Sequence, residues 1–221
     1  MIATDFISDS ITYAKAEYTG ERVLTLMNVF QVKHLPVIDK DLHLLGLISD
    51  DDVLIRSYDE NIESYGIDYK QVHVQPDQHI YDIIHLLSKN DISLVPVVED
   101  KRYVGSIRKQ DVISFLGKSF SFSKPGSIVE LFIQYRNYSL AEISRIIEAE
   151  NAKILSVFIA ESDADNNRLK VVLKIDKQDI GSIIAAFERF EYEVNASYTE
   201  NNEYDDFLKE RYDSLMRYLN V

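Results

Sequence analysis

Two short segments of this chain place hydroxyl and charged side chains where a helix is expected to begin. In the first, Ser49 and Asp52 are three residues apart and precede an apolar run that starts at Val53. At this spacing a hydroxyl and a carboxylate form a capping box, in which each side chain accepts a hydrogen bond from the other residue's backbone N–H. The same groups can hold a polar ligand, and the residues alone leave both interpretations open.

In the second segment an arginine occupies the position of Ser49, and Asp111 follows Arg108 at the same spacing. Arginine cannot accept hydrogen bonds from the free N–H groups of a helix, and a cation at a helix start costs ~0.3–1 kcal/mol. Arg108 therefore needs another explanation. A phosphate would provide one, because a guanidinium and helix N–H groups make a good anion site. A surface ion pair with Glu99 or Asp100 is the alternative.

Each of these segments lies near the end of one copy of a repeated unit. Pro36 matches Pro96 at an offset of 60, and Gly46 matches Gly105 at an offset of 59. One residue is lost between these pairs, at the polar turn after the Pro-Val strand, as duplication of a folding unit would leave. The apolar periodicity of each copy predicts a helix, a β-hairpin and a second helix.

The repeats occupy residues 1–122, with repeat one at about 1–58 and repeat two at about 70–122. A polar connector lies between them. Val72–Val74 is predicted to be a short strand, and Asp77 is predicted to cap the helix that follows.

After a Pro-Gly boundary, residues 127–200 follow the order strand, helix, strand, strand, helix, strand, which predicts a small sheet with both helices on one face. Ser139 and Glu142 are predicted to form a capping box, and Ser162–Arg168 to form a turn between strands. Residues 203–221 are predicted to form an amphipathic helix that docks on its own domain or on a partner. The predicted fold class is α+β.

The repeat resembles the CBS domain, named after cystathionine β-synthase. Its signature is an apolar-Pro-Val strand, a Gly-led strand and a [Ser/Thr]-x-x-Asp helix opening, matched here by Pro36 and Pro96 and by Ser49–Asp52 and Arg108–Asp111. In this family tandem copies pack into one module with two clefts. The resemblance implies ligands that contain adenosine: AMP, ADP, ATP, S-adenosylmethionine or NAD.

The resemblance also implies roles for individual residues. Asp52 and Asp111 would accept hydrogen bonds from ribose hydroxyls, which suits acceptor-only carboxylates. His34 and Leu94 could flank an adenine, and His34 fits a partly exposed edge position equally well. The acids beside Asp52 disfavour phosphate, so a phosphorylated ligand is expected at the cleft with Arg108. The predicted nucleotide-binding residues are His34, Pro36, Ser49, Asp52, Leu94, Pro96, Arg108 and Asp111.

The element order of residues 127–200 is similar to that of an ACT domain, a small regulatory module that often pairs across a dimer. Members that bind amino acids usually carry a glycine after the first strand, whereas this chain has Tyr135–Ser139 there. Sheet pairing is therefore the expected role. A CBS pair followed by an ACT domain is the layout of AcuB-type acetoin-utilisation proteins, which the whole chain resembles.

Composition argues against several function classes. A net charge of −13 disfavours nucleic acid or anionic membrane as a partner, and the lack of cysteine excludes disulfides and thiolate chemistry. The five histidines lack the spacing of a metal site. We see no nucleophile elbow, phosphate-binding loop, signal peptide or membrane span. A cytoplasmic protein without catalytic residues, metal or catalytic cofactor is expected.

Two hypotheses follow. The first is a homodimeric regulatory protein in which the repeats sense an adenine nucleotide and shift either the dimer of residues 127–200 or a bound partner enzyme. The second is an interaction scaffold that dimerises and whose clefts are vestigial. Amino-acid sensing by residues 127–200 is a third possibility.

Overall fold

A computed structural model describes residues 1–8, 11–66, 68–119, 121–162 and 165–199. The chain separates into two compact units, Met1–Leu116 and the residues from Gly117 onward. Each unit has its own cluster of buried apolar side chains. The helix predicted at 203–221 lies outside the described residues.

The first copy of the repeat has the predicted order with one additional strand at its start. Its elements are β1 (Ala14–Lys15), α1 (Gly20–Phe30), β2 (His34–Ile38), β3 (Leu44–Ser49) and α2 (Asp50–Leu54). Strand β1 pairs parallel to β2, which pairs antiparallel to β3. Helix α1 buries Val23 and Met27, the i, i+4 face that the apolar spacing predicts.

The second copy repeats this arrangement almost completely. Its elements are α3 (Ile80–Asn90), β4 (Leu94–Glu99), β5 (Arg102–Arg108) and α4 (Lys109–Ser119). The strand predicted at Val72–Val74 is reduced to a single parallel bridge between Val74 and Val97. Ala14 and Val37 form the matching parallel pair of copy one, so the two sheets are built alike.

The cap of helix α3 differs from the prediction. Asp77 is wrong as the N-cap, because His79 holds that position and its Nδ1 accepts a hydrogen bond from Tyr81 N–H at 3.4 Å. In copy one, Thr19 caps α1 at the corresponding position. An imidazole nitrogen accepts hydrogen bonds as a hydroxyl oxygen does, so a histidine can replace the usual oxygen-bearing cap.

The two hairpins differ at the turn where the sequence loses a residue. Strand β2 ends at Ile38 and β3 begins at Leu44, whereas only Asp100 and Lys101 separate β4 from β5. Both turn residues of copy two have positive φ, 48° and 70°, as a tight type I′ hairpin requires. The deletion therefore shortens a turn and leaves the paired strands intact.

The segments outside the hairpins cross from one copy to the other. Ser8 precedes the first strand of copy one, yet its N–H donates to the Ser106 carbonyl of copy two at 3.0 Å. The connector runs back along copy one, where Leu47 N–H donates to the Lys70 carbonyl at 3.0 Å. The two copies are therefore joined by backbone hydrogen bonds as well as by apolar packing.

The two glycines of the repeat make room for these crossing segments. A Cβ atom on Gly105 would lie 2.4 Å from Ile7 Cγ2, and one on Gly46 would lie 2.6 Å from Tyr69 Cβ. Gly46 also has a φ of 137°, a conformation that side-chain-bearing residues rarely adopt. The glycine within each second strand therefore has a packing role.

The second unit has the predicted βαββαβ order. Its elements are β6 (Ser127–Gln134), α5 (Leu140–Ala149), β7 (Ile154–Ser162), β8 (Asp165–Ile175), α6 (Gly181–Arg189) and β9 (Glu193–Tyr198). The strands form one antiparallel sheet in the order β7-β8-β6-β9. Buried residues of α5 and α6 share one apolar cluster with β6 and β8, so both helices cover the same face. The predicted α+β class is confirmed.

Two local predictions in this unit are wrong. Strand β8 begins at Asp165, so the turn predicted at Ser162–Arg168 is shorter because the hairpin continues pairing. Ser139 Oγ accepts Glu142 N–H at 3.3 Å, but Glu142 Oε2 accepts the Tyr192 hydroxyl at 2.7 Å instead of closing a capping box. Burial, together with this hydrogen bond, raises the pKa of Tyr192.

Candidate functional site

The opening of α2 is held by a complete capping box. Ser49 Oγ accepts Asp52 N–H at 3.1 Å, and Asp52 Oδ2 accepts Ser49 N–H at 3.0 Å. The Ser49 hydroxyl also donates to Asp52 Oδ2 at 2.6 Å. These bonds satisfy helix N–H groups that would otherwise lack partners, so a ligand that binds Asp52 competes with the cap.

The opening of α4 is held by an ion pair between the corresponding residues. Arg108 Nε donates to Asp111 Oδ2 at 2.7 Å, and Arg108 Nη2 donates to Asp111 Oδ1 at 2.9 Å. The predicted alternative partners Glu99 and Asp100 are wrong, because Asp111 lies one helical turn away and presents both of its oxygens. Hydrogen bonding to Asp111 raises the pKa of the Arg108 guanidinium. The two side chains are 28% and 33% exposed, so solvent or a ligand reaches both.

Both helix openings are anchored by the same backbone contact. Asp50 N–H donates to the Lys33 carbonyl at 2.9 Å, and Lys109 N–H donates to the Ser93 carbonyl at 2.9 Å. Each anchor residue immediately precedes a Pro-Val strand. The backbone therefore places the start of each helix beside the start of that strand, whatever side chains the opening carries.

Ser93 links the two openings directly. Its Oγ accepts the N–H groups of Lys33 and His34, each at 3.0 Å. A continuous path of hydrogen bonds thus runs from Asp50 through Lys33 and Ser93 to Lys109. Ser93 was not among the predicted site residues, although it directly precedes Leu94, which was.

Antiparallel pairing sets the neighbours of each opening. His34 lies opposite Ser49, and Leu94 lies opposite Arg108. His34 is half-buried, whereas Leu94 is fully buried in the apolar cluster. In this structure Leu94 therefore has no exposed surface to offer an adenine, and His34 has some.

The prolines of both Pro-Val strands are buried. Pro36 lies opposite Leu47, and Pro96 lies opposite Ser106. The Pro96 carbonyl accepts Val74 N–H at 3.0 Å. These contacts give the prolines a role in fixing the sheet, two residues in from the helix openings.

His34 sits where protonation is disfavoured. Burial lowers the pKa of its imidazole, and Asp50 partly opposes that effect. Its Nδ1 accepts Ser93 N–H at 3.3 Å, which requires an unprotonated nitrogen at that position. Burial and this contact therefore both disfavour protonation of His34.

The first opening is acidic, whereas the second pairs its cations with carboxylates. Asp50, Asp51 and Asp52 fill the first turn of α2. At the second opening Arg108 and Lys109 stand side by side, and Lys109 Nζ lies 3.7 Å from Asp91 Oδ1. The second opening is thus the more favourable place for an anion.

Two cavities of the first unit lie at the opposite, turn end of the hairpins. One of about 630 Å³ is lined by residues that include Lys15, Asp39 and Glu63, and one of about 480 Å³ by residues that include His43 and His73. The eight predicted site residues line neither of these two cavities. Both cavities are therefore separate from the helix openings.

One group of possible metal ligands was not predicted from the sequence. Asp39, Asp41 and His43 bring one ligand atom each within 4.8 Å of one another at the turn after β2. Asp39 already accepts the N–H groups of Asp41 and His43 at 2.9 and 2.8 Å. The hydrogen bond from the His43 backbone N–H has the largest effect on the pKa of Asp39, which it lowers. Stabilising the turn accounts for this arrangement without a metal.

The family model of the CBS domain matches residues 3–59 and 67–118. The two matched segments coincide with the two structural copies and include both helix openings. The first unit is a CBS domain pair. The family resemblance predicted from the repeat is therefore confirmed, and its motif residues lie at the α2 and α4 openings.

Comparisons with individual proteins cover only part of the chain. A homoserine O-acetyltransferase of Methanohalobium evestigatum is 25% identical over 112 residues, which are 49% of this chain and 23% of that protein. The chain thus spans about a quarter of the length of this relative, in line with a shared module.

Solved structures with similar folds include an acetoin utilization protein (AcuB) of Vibrio cholerae, at 20% identity and a TM-score of 0.47, covering 52% of this chain and 89% of that one. A second is CBSX2 in complex with AMP, at 22% identity and a TM-score of 0.45, covering 51% and 93%. The assignment of the first unit rests on the family match and the internal repeat. Within the described part of the chain, no helix combines the length and apolar character needed to cross a membrane.

Proposed function

We propose that the CBS domain pair is the regulatory sensor of a phosphorylated, adenosine-containing ligand, and that its second copy supplies the phosphate contact. The observation that carries this proposal is the partly exposed guanidinium of Arg108 at the opening of α4. Membership of the CBS family supports an adenine ligand, since tandem copies commonly take AMP, ADP, ATP, S-adenosylmethionine or NAD in their clefts.

Arg108 retains hydrogen-bonding capacity after pairing with Asp111. A guanidinium has five N–H donors in a planar fork, and the ion pair uses one on Nε and one on Nη2. Both donors of Nη1 and the second donor of Nη2 remain to contact phosphate oxygens. Asp111 likewise keeps lone pairs that can accept from ribose hydroxyls.

The ion pair offers little resistance to a ligand. An ion pair that solvent reaches on both sides is worth ~0–1 kcal/mol, whereas each hydrogen bond to a charged group contributes ~1.5–3 kcal/mol. A phosphate can thus recruit Arg108 at small cost. Before a ligand binds, the ion pair with Asp111 also holds the guanidinium in one place. Less side-chain entropy is therefore lost on binding.

The first copy is the weaker candidate for a phosphate. Asp50, Asp51 and Asp52 crowd the opening of α2, and two like charges 4 Å apart repel by ~1 kcal/mol even in bulk water. We infer that this cleft takes an uncharged nucleoside or remains empty. His34, which is half-buried beside Ser49, is the side chain best placed to contact a base there.

Regulation follows if the ligand binds two arrangements of the module with different affinities. The hydrogen-bond path through Ser93 gives the two openings a physical connection. We infer that the second unit transmits the change by pairing its sheet with that of another copy or by holding a partner protein. In this account the chain acts without catalysis of its own.

A thermal-shift series tests the proposal. The full chain is heated with adenosine, AMP, ADP, ATP, S-adenosylmethionine or NAD. A ligand at one hundred times its dissociation constant stabilises the folded state by ~2.7 kcal/mol. We expect at least one phosphorylated compound to raise the melting temperature and adenosine to raise it less. A series in which none of the compounds raises it would contradict the proposal.

The second candidate is a scaffold with vestigial clefts. It is favoured by one observation: Ser49 and Arg108 both have partners within their own helix openings, so neither residue requires a ligand. This candidate predicts a dimer whose melting temperature is unchanged by every compound of the series.

A further inference from the structure

The sheet of the second unit has one face covered by helices and one that the described helices leave open. Val129, Leu131, Val171 and Leu173 are fully buried and cluster with residues of α5 and α6. Because successive side chains of a strand point to opposite faces, the residues between them point away from both helices. These alternate residues define the open face.

Strand register arranges the open face in rows, three of which run through all four strands. These three rows are Tyr198-Ile128-Lys174-Ser156, Ala196-Glu130-Val172-Phe158 and Glu193-Phe132-Lys170-Ala160. Most of these side chains are apolar. A salt bridge of 2.8 Å between Lys170 and Glu130 lies among them.

The edges of this face expose large aromatic rings. Phe158 is 46% exposed and Tyr198 is 56% exposed. Phe122, itself 55% exposed, stacks on Phe158 with ring centroids 5.9 Å apart. A surface of this kind usually marks a contact with another part of the chain or with a partner.

We propose that residues 203–219 form a helix that packs its apolar side on the open face of this sheet. The segment places apolar residues at helical spacing, so that one side of the helix would be apolar and the other polar. Its apolar residues are Tyr204, Phe207, Leu208, Tyr212, Leu215, Met216 and Leu219.

Chain connectivity favours this occupant. Strand β9 ends at Tyr198, whose side chain already belongs to the open face. The four residues from 199 to 202 reach ~13 Å when extended, enough to turn from an edge strand onto the sheet. Among the described elements, α5 and α6 cover the other face, so the open face is the one that these two helices leave to the segment.

Dimensions and charge also agree. Four strands spaced ~4.8 Å apart are ~14 Å across, and a helix of 17 residues is ~25 Å long, so it spans the sheet diagonally. The start of the segment carries Glu203, Asp205 and Asp206. The row nearest the end of β9 contains Lys174, which provides the complementary charge.

The absence of cysteine from this chain allows a direct test. Pairs of cysteines are introduced into the full-length protein, with Val172→Cys on the open face and Leu208→Cys or Leu215→Cys on the apolar side of the segment. Matched control pairs combine Val172→Cys with Asp206→Cys or Asp213→Cys, which the same helix places on its opposite side. A second series with Phe158→Cys guards against a variant that fails to fold.

Cross-linking by a short thiol-specific reagent is followed by mass spectrometry at several protein concentrations. We expect links within one chain at position 208 or 215, formed at least tenfold faster than at 206 and 213 and at a rate independent of concentration. Equal rates for the apolar and polar positions would overturn the proposal. Links found only between chains would also overturn it and would assign the open face to a second copy.

Discussion

The openings of α2 and α4 occupy the same place in two copies of one fold, but different side-chain chemistry holds them. In copy one a hydroxyl and a carboxylate form a capping box, and in copy two a guanidinium and a carboxylate form an ion pair. The backbone contacts are the same, because the first N–H of each helix donates to the carbonyl of Lys33 or Ser93 at 2.9 Å.

The difference shows which part of the repeat is constrained. Since a carbonyl anchors each opening, the side chain at the Ser49 or Arg108 position is not needed to place the helix. This position can therefore change between copies while the fold is kept. A side chain that varies on a constant backbone is well suited to give two clefts different ligand preferences.

The largest expected difference between the two copies is the loss of stability when their glycines are replaced by alanine. Gly46→Ala should lower the free energy of unfolding by ~3 kcal/mol, because it combines overpacking with a strained backbone. A Cβ there would lie 2.6 Å from Tyr69 Cβ at a φ of 137°. Gly105→Ala should cost only ~1 kcal/mol, since the obstructing Ile7 side chain can move.

Urea unfolding of both variants checks this difference. Gly117→Ala is a suitable control, because no atom lies within 4 Å of the added Cβ. Equal losses at Gly46 and Gly105 would mean that the Tyr69 and Ile7 segments give way equally, which would contradict the different contacts at the two glycines.

A smaller effect is expected from removing the two opening side chains. Ser49→Ala should lower stability by ~1 kcal/mol, because it leaves helix N–H groups without their cap. Arg108→Ala should change stability by less than ~1 kcal/mol, because its ion pair is exposed to solvent. Urea unfolding measures both, and a larger loss for Arg108→Ala would assign it a structural role in place of a binding one.

A pH dependence is expected from His34 of copy one. Burial lowers the pKa of His34 in the folded state, so the unfolded chain binds a proton more readily, and stability falls as pH drops below about 6.5. One such group contributes at most ~1.4 kcal/mol per pH unit.

His34→Leu, which introduces the residue found at position 94, should flatten this dependence. Unfolding free energies compared between pH 7.5 and pH 5.5 avoid most carboxylate titration. An unchanged slope in the variant would show that other groups cause the dependence.

Much of the fold could be predicted from the sequence because its signals are local or repeated. The Pro-Val hairpins follow from apolar runs around a turn, and the second unit follows from its alternating elements. The crossing of Ser8 to Ser106 could not be predicted, because nothing local indicates which copy a peripheral segment joins.

The candidate site was predictable in position but not in its contacts. The spacing of Ser49 and Asp52 predicted a capping box as one of two interpretations, and the structure has this capping box. The partner of Arg108 could not be predicted, because a long side chain reaches several carboxylates and the rotamer decides among them. Leu94 matched the motif, yet the packing of β4 buries it completely.

The most direct test of the account is a calorimetric titration of AMP and adenosine against the wild-type chain, Arg108→Ala and Arg102→Ala. Arg102 lies on the same strand as Arg108 but at its other end, which makes it a matched control. We expect Arg108→Ala to weaken AMP binding at least tenfold, or ~1.4 kcal/mol, and adenosine binding less than twofold. Arg102→Ala should change neither. Equal losses of AMP and adenosine in Arg108→Ala would contradict the assignment of Arg108 as the phosphate ligand.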